Sequence, residues 1–255
     1  MLALQQWGDP DAPVIVCVHG IQAHARRFRR LAEERLVPAG FRVVAPDLRG
    51  HGDSTWDPPW GIRAQLAEAV ELGESLGPVV WLGHSFGGRL VLELAAARPD
   101  LVTRAILLDA AVQMPAHEAR AEADEERGDR SFADAEAFFA ARRAYARLVP
   151  DAFLEEELAQ HVERGADGRM RMRYCPPAVI TMWGELAADP PAPPTCPTLV
   201  VVAEDADYTR PEHVAALRSA LGDDLTAVTV PGDHIVLWDA YDETATAVER
   251  FLAAT

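Results

Sequence analysis

PVVWLGHSFGGRLVLELAAA, residues 78–97, runs from a β-rich apolar stretch through a glycine-flanked serine into an alanine- and leucine-rich helical pattern. An exposed loop serine needs no such setting. A serine at a sharp strand-to-helix turn does, because the chain doubles back there and leaves no room for neighbouring side chains. Gly83 to Gly87, GHSFG, fit G-x-S-x-G, with glycine two positions before and two after Ser85. Such a turn lifts the Ser85 hydroxyl above the sheet at the N-terminal end of the next helix. Free N–H groups and the helix dipole favour developing negative charge at that place. The backbone N–H of Phe86, the residue after the serine, is then one candidate oxyanion donor.

On either side of this turn, short β-rich runs alternate with helical patterns. VIVCVHG (14–20), FRVVAPDL (41–48), PVVWLGHS (78–85), RAILLDAA (104–111), TLVVVAED (198–205) and LTAVTVPG (225–232) read as strands. Nearly continuous apolar runs point to strands buried on both faces, hence to a mostly parallel sheet covered by helices. Helical stretches at 25–37, 61–76, 86–97, 212–221 and 240–253 complete a doubly wound α/β architecture. The rhythm breaks between Val112 and Thr195. That stretch is helical and charged, carries Phe138, Phe139, Tyr145, Met182 and Trp183, and ends in the proline-rich DPPAPPTCP. We expect a core domain of residues 1–111 and 196–255 with a helical cap, 112–195, over the sheet. The charged run from Glu118 to Arg130 reads as a solvated helical face.

Of 255 residues, 49% are hydrophobic and 25% charged, which suits one globular domain with an insertion. The formal charge of −16 argues against phosphate-neutralising binding of nucleic acid and against docking on an anionic membrane. No apolar run reaches the length of a membrane span, and the N-terminal MLALQQWGDPDAP lacks the pattern of a signal peptide. Cys17, Cys175 and Cys196 form no CxxC or metal-type spacing, and Cys17 reads as a small buried hydrophobe. These features predict a cytoplasmic protein with reduced thiols, no metal and no organic cofactor.

An unactivated hydroxyl is a weak nucleophile, so Ser85 needs a base. Among eight histidines, His234 follows the last predicted strand, in VPGDHIVLWD, at the carboxyl edge where sites of open α/β sheets gather. His84 adjoins Ser85 and should point into packing, His19 and His51 suit bracing of backbone turns, and His117, His161 and His213 lie on polar helical stretches.

The motifs HG (19–20), DLRGHGDS (47–54), GHSFGG (83–88), an acidic loop after TLVVVAE (198–204) and a late GDH (232–234) occur in one order. In this the chain resembles the α/β-hydrolase superfamily, from about residue 2 to 253 except the cap. The resemblance implies an α/β-hydrolase fold, a serine, acid, histidine order along the chain, and a second oxyanion N–H at Ile21, the residue after HG. It places the acid in the loop AEDADYTRP. Counting back four residues from Pro211 selects Asp207, whereas counting forward three from Ala203 lands on Ala206, so Asp205 stays an alternative to Asp207. Asp109, at the end of the preceding strand, is a third location used in the superfamily.

The expected function is that of a capped serine hydrolase, a carboxylesterase for small to medium apolar esters, with Ser85, His234 and Asp207 as its triad. VITMW, ending in Trp183, is the part of the cap expected to face the pocket. A thioesterase, lactonase, C–C bond hydrolase or cofactor-free perhydrolase would use the same triad. A hydrolase-fold receptor with little turnover is the alternative of another class. The partner is a small ester-like molecule, and the sequence leaves the oligomeric state open.

Overall fold

The computed structural model describes residues 2–144 and 146–254, so Tyr145 of the expected cap lies outside the described residues. Seven strands form one sheet: β1 (Leu4–Trp7), β2 (Val14–Val18), β3 (Arg42–Pro46), β4 (Val79–His84), β5 (Val102–Leu108), β8 (Thr198–Ala203) and β9 (Leu225–Val230). Their order is β1-β3-β2-β4-β5-β8-β9; every pairing is parallel except the antiparallel edge β1–β3. The expected parallel sheet is present. Leu4–Trp7 was not expected as a strand, because four residues of half-buried LQQW carry too little apolar signal against the buried runs beside them.

Side chains alternate across the sheet, as strand geometry requires. Val16 and Val18 of β2 join Trp81 and Leu107 in one apolar cluster, covered by α2 (Ile62–Leu76), α3 (Phe86–Ala97) and α8 (Pro211–Leu221). Ile15 and Cys17 join Leu82, Ile106 and Val201 on the other face. That face is covered by a helical segment, 25–36, which contains α1 (Arg29–Leu31) and closes in a π-helical turn (Ala32–Leu36), and by α10 (Tyr241–Ala253). Cys17 is fully buried, as its apolar run predicted.

Between β5 and β8 lie α4 (Ala116–Glu125), α5 (Ala135–Arg143), α6 (Asp151–His161), a hairpin of β6 (Val162–Arg164) and β7 (Met170–Met172), and α7 (Pro176–Glu185). The hairpin departs from the all-helical expectation; its strands are three residues long, too short for a period-two pattern to register. Ala119, Phe138, Met182 and Trp183 share one apolar cluster with the sheet, while Ala146, Val149 and Leu154 form a second, smaller cluster with Ile235 and Trp238. The buried Arg89 of α3 ties its two ends together, donating to the carbonyl of Val112 at 2.5 Å and of Asp189 at 2.7 Å. The run from Glu118 to Arg130 is only partly a solvated face. Glu126 is buried, accepting from Tyr174 Oη at 3.0 Å and from Gln22.

Candidate active site

Ser85 sits between β4 and α3 with φ 55° and ψ −122°, a left-handed region that side-chain-bearing residues rarely adopt. The glycines of the motif make this possible. A Cβ at Gly83 would lie 2.3 Å from the Gly87 carbonyl oxygen, and one at Gly87 would lie 2.1 Å from that of Val18. A serine at a helix N-cap ordinarily bonds its own helix, but Ser85 makes no side-chain cap bond. Its hydroxyl is turned toward His234 instead, with Oγ 2.8 Å from Nε2.

His234 lies in the loop after β9, and its Nδ1 stands 2.6 Å from Oδ2 of Asp109. Because a carboxylate can only accept, Nδ1 carries the proton and Nε2 is left to accept from the serine. Asp109 directly follows β5 with φ 38° and 0% exposure, and its Oδ1 accepts from the Ala203 N–H at 3.2 Å. Ser85 is 4% exposed, whereas the His234 side chain between it and Asp109 keeps 14% exposure.

The carboxylate that meets His234 is that of Asp109, the third of the locations considered, and not that of Asp207. Asp207, 77% exposed, faces Arg210 at 3.4 Å, and Asp205 pairs with Arg147 at 3.0 Å. Neither carboxylate is hydrogen-bonded to His234. Counting along a loop fails here because side-chain direction follows the loop's dihedrals and not its length. What the loop brings to His234 is Tyr208, whose ring stacks on the imidazole with centroids 3.7 Å apart and planes at 22°. Nothing in the sequence marked Tyr208. Asp109, after the buried run AILL, is the third location that the α/β-hydrolase resemblance offered.

The other histidines sort by partner. His19 accepts from the Leu48 N–H at 2.9 Å and bonds the Gly20 carbonyl at 2.8 Å, bracing two turns as expected. His84 donates from Nε2 to the His234 carbonyl at 3.0 Å; burial, then the neighbouring His234, hold it well below the usual histidine range and keep it neutral. His161 is no surface residue. It is fully buried and stacks on His24 at 4.4 Å.

A cavity with about 540 Å³ of empty space, part of it open to solvent, lies over Ser85. Ile21, Trp183 and Ile235 give it apolar wall; Gln22, Arg27, Glu122 and Arg142 give it polar wall. Trp183, the last residue of VITMW, lines this cavity. Glu122, unmarked in the sequence, is pushed up by burial and then by Glu125 beside it. The Phe86 side chain is fully buried in the core. Its N–H belongs to the first turn of α3, where backbone donors lack intrahelical acceptors. Among the described residues, no group of three or more His, Cys, Asp or Glu side chains could hold a metal ion, and no helix is long and apolar enough to cross a membrane.

Residues 15–247 match the sequence model of the alpha/beta hydrolase family. The chain belongs to that family. This alpha/beta hydrolase is 36% identical over 242 residues to Lipase LipV of Mycobacterium tuberculosis, a match spanning 92% of this chain and 91% of that protein. It is 38% identical over 104 residues to the sn-1-specific diacylglycerol lipase ABHD11 of Mus musculus, spanning 40% of this chain and 34% of that protein. Among solved structures, E-2-(acetamidomethylene)succinate hydrolase superposes with TM-score 0.84 at 24% identity, covering 99% of this hydrolase and 95% of that chain.

Proposed function

We propose that this alpha/beta hydrolase is a serine carboxylesterase for small to medium esters, with Ser85 as nucleophile, His234 as base and Asp109 as the acid that orients it. The observation that carries this reading is the continuous line from Asp109 Oδ2 through His234 to Ser85 Oγ, at 2.6 and 2.8 Å. Its full-length similarity to a protein named a lipase supports ester chemistry. Nε2 of His234 takes the hydroxyl proton as Oγ attacks the ester carbonyl, and Asp109 stabilises the imidazolium that results. The N–H groups of Ile21 and Phe86 hold the oxyanion. His234 then protonates the departing alcohol and later activates the water that releases the acid. The insertion 112–195 acts as the cap, with Trp183, Ile21 and Ile235 supporting the apolar part of the substrate.

Ser85→Ala should abolish hydrolysis of a short-chain p-nitrophenyl ester while the folded state persists, and a fluorophosphonate probe should label Ser85 alone. Full activity in the variant, or labelling elsewhere, would remove this assignment.

A further inference from the structure

We infer that Tyr208 is the positioning residue of the His234 imidazole, its ring laid face-on to hold the imidazole in the plane that joins Asp109 to Ser85. This rests on the roles proposed above for Ser85 and His234. Two hydrogen bonds fix the ring's nitrogens, and small tilts of the ring through χ1 and χ2 are opposed by what packs on its faces. A face contact limits such tilts, and the Tyr208 centroid at 3.7 Å and 22° is such a contact. His84 adds a second support: its ring centroid is 4.8 Å away, and its bond to the His234 carbonyl fixes the backbone from which the imidazole hangs.

The loop that carries Tyr208 is fastened on several sides. Glu204 N–H donates to the Val230 carbonyl at 2.9 Å and Asp205 N–H to that of Gly232 at 3.0 Å, which ties it to the strand leading to His234. Thr209 Oγ1 donates to the Ala110 carbonyl at 3.0 Å, next to Asp109. Arg147 and Arg210 tie it to the insertion and to α4, through Asp205 at 3.0 Å and Glu118 at 2.9 Å. So the acidic residues at 205 and 207 serve surface pairing, and the loop's contact with the reacting groups is aromatic. When the imidazole gains the serine proton, the phenol face also attracts the cation electrostatically.

The rival reading is a substrate wall, since Tyr208 lines the same cavity. Kinetics of Tyr208→Ala, Tyr208→Leu and Tyr208→Phe on a p-nitrophenyl ester, with fluorophosphonate labelling rates of Ser85, separate the two. The first two variants should lose about 10–100-fold in kcat with KM little changed, as small misplacements of reacting groups do. Their labelling should slow in parallel, and Tyr208→Phe should stay within about threefold of the parent, since the ring face is retained. Unchanged kcat with raised KM, or a phenylalanine variant as impaired as the alanine one, overturns the inference. If the parent itself is not labelled at Ser85, the assignment of the nucleophile fails first and this inference falls with it.

Discussion

Asp109 holds a fully buried carboxylate with both oxygens occupied, Oδ1 by the Ala203 N–H at 3.2 Å and Oδ2 by His234 Nδ1 at 2.6 Å. Asp109→Asn keeps the shape but can present an amide N–H to Nδ1, which drives the imidazole proton to Nε2, facing the serine. Turnover should then fall by about 10⁴, the loss seen when this substitution is made in a chymotrypsin-type triad. Asp207→Asn and Asp205→Asn each remove an exposed ion pair, a contact worth about 1 kcal/mol or less. Both should keep ester hydrolysis within about twofold of the parent, as such small energies allow. Loss of activity in Asp207→Asn with Asp109→Asn still active would move the acid back to the loop after β8.

At the scale of elements, α6 is fastened to the segment 25–36 by a buried charge cluster. Glu157 accepts from His24 Nε2 at 2.9 Å and from Arg27, all three side chains being almost entirely buried. Burial alone would push the Glu157 carboxyl up, but the Arg27 guanidinium and the His24 imidazole hold it well below the usual carboxylate range. Removing one partner strands a buried charge. Glu157→Leu should therefore cost about 3–5 kcal/mol in urea unfolding, whereas Glu157→Leu with Arg27→Met should recover most of that loss. A double variant no more stable than the single one would mean the cluster contributes more than mutual neutralisation. Because Arg27 also lines the Ser85 cavity, the double variant alters the pocket wall as well as the cluster.

Across the whole molecule, four histidines sit uncharged in the interior. Burial pushes His19 and His51 down to about 3, and His84 and His161 well below the usual range. In the unfolded chain each would take up a proton near 6.5, the ordinary value, which the folded chain refuses. Their contribution to stability is thus complete above about pH 6.5 and is lost progressively as pH falls below that value. Glu157 adds to the loss below the usual carboxylate value, because its folded state also resists protonation. Acidification relieves repulsion within a chain of net charge −16, but exposed charges are screened by salt while the buried histidines are not. Thermal midpoints measured from pH 8 to 4 should hold level and then fall from about 6.5 downward. A midpoint constant to pH 4 would show that these imidazoles protonate within the fold.

The sequence by itself determined what depends on local pattern. Buried runs set the parallel sheet, GHSFG set the serine's turn because only glycine fits beside it, and position at the last strand's end singled out His234. Tertiary structure decided what depends on direction across chain-distant elements. Asp109, Asp205 and Asp207 all lie near the carboxyl edge of the sheet. The one that reaches His234 is chosen by a left-handed residue at the end of β5 and by a loop that turns its acids toward arginines and its tyrosine toward the imidazole. The buried partners Glu126, Glu157 and His161 were illegible for the same reason. A charged helix reads as solvated until a second element packs on it, and which element does so is a property of the folded chain.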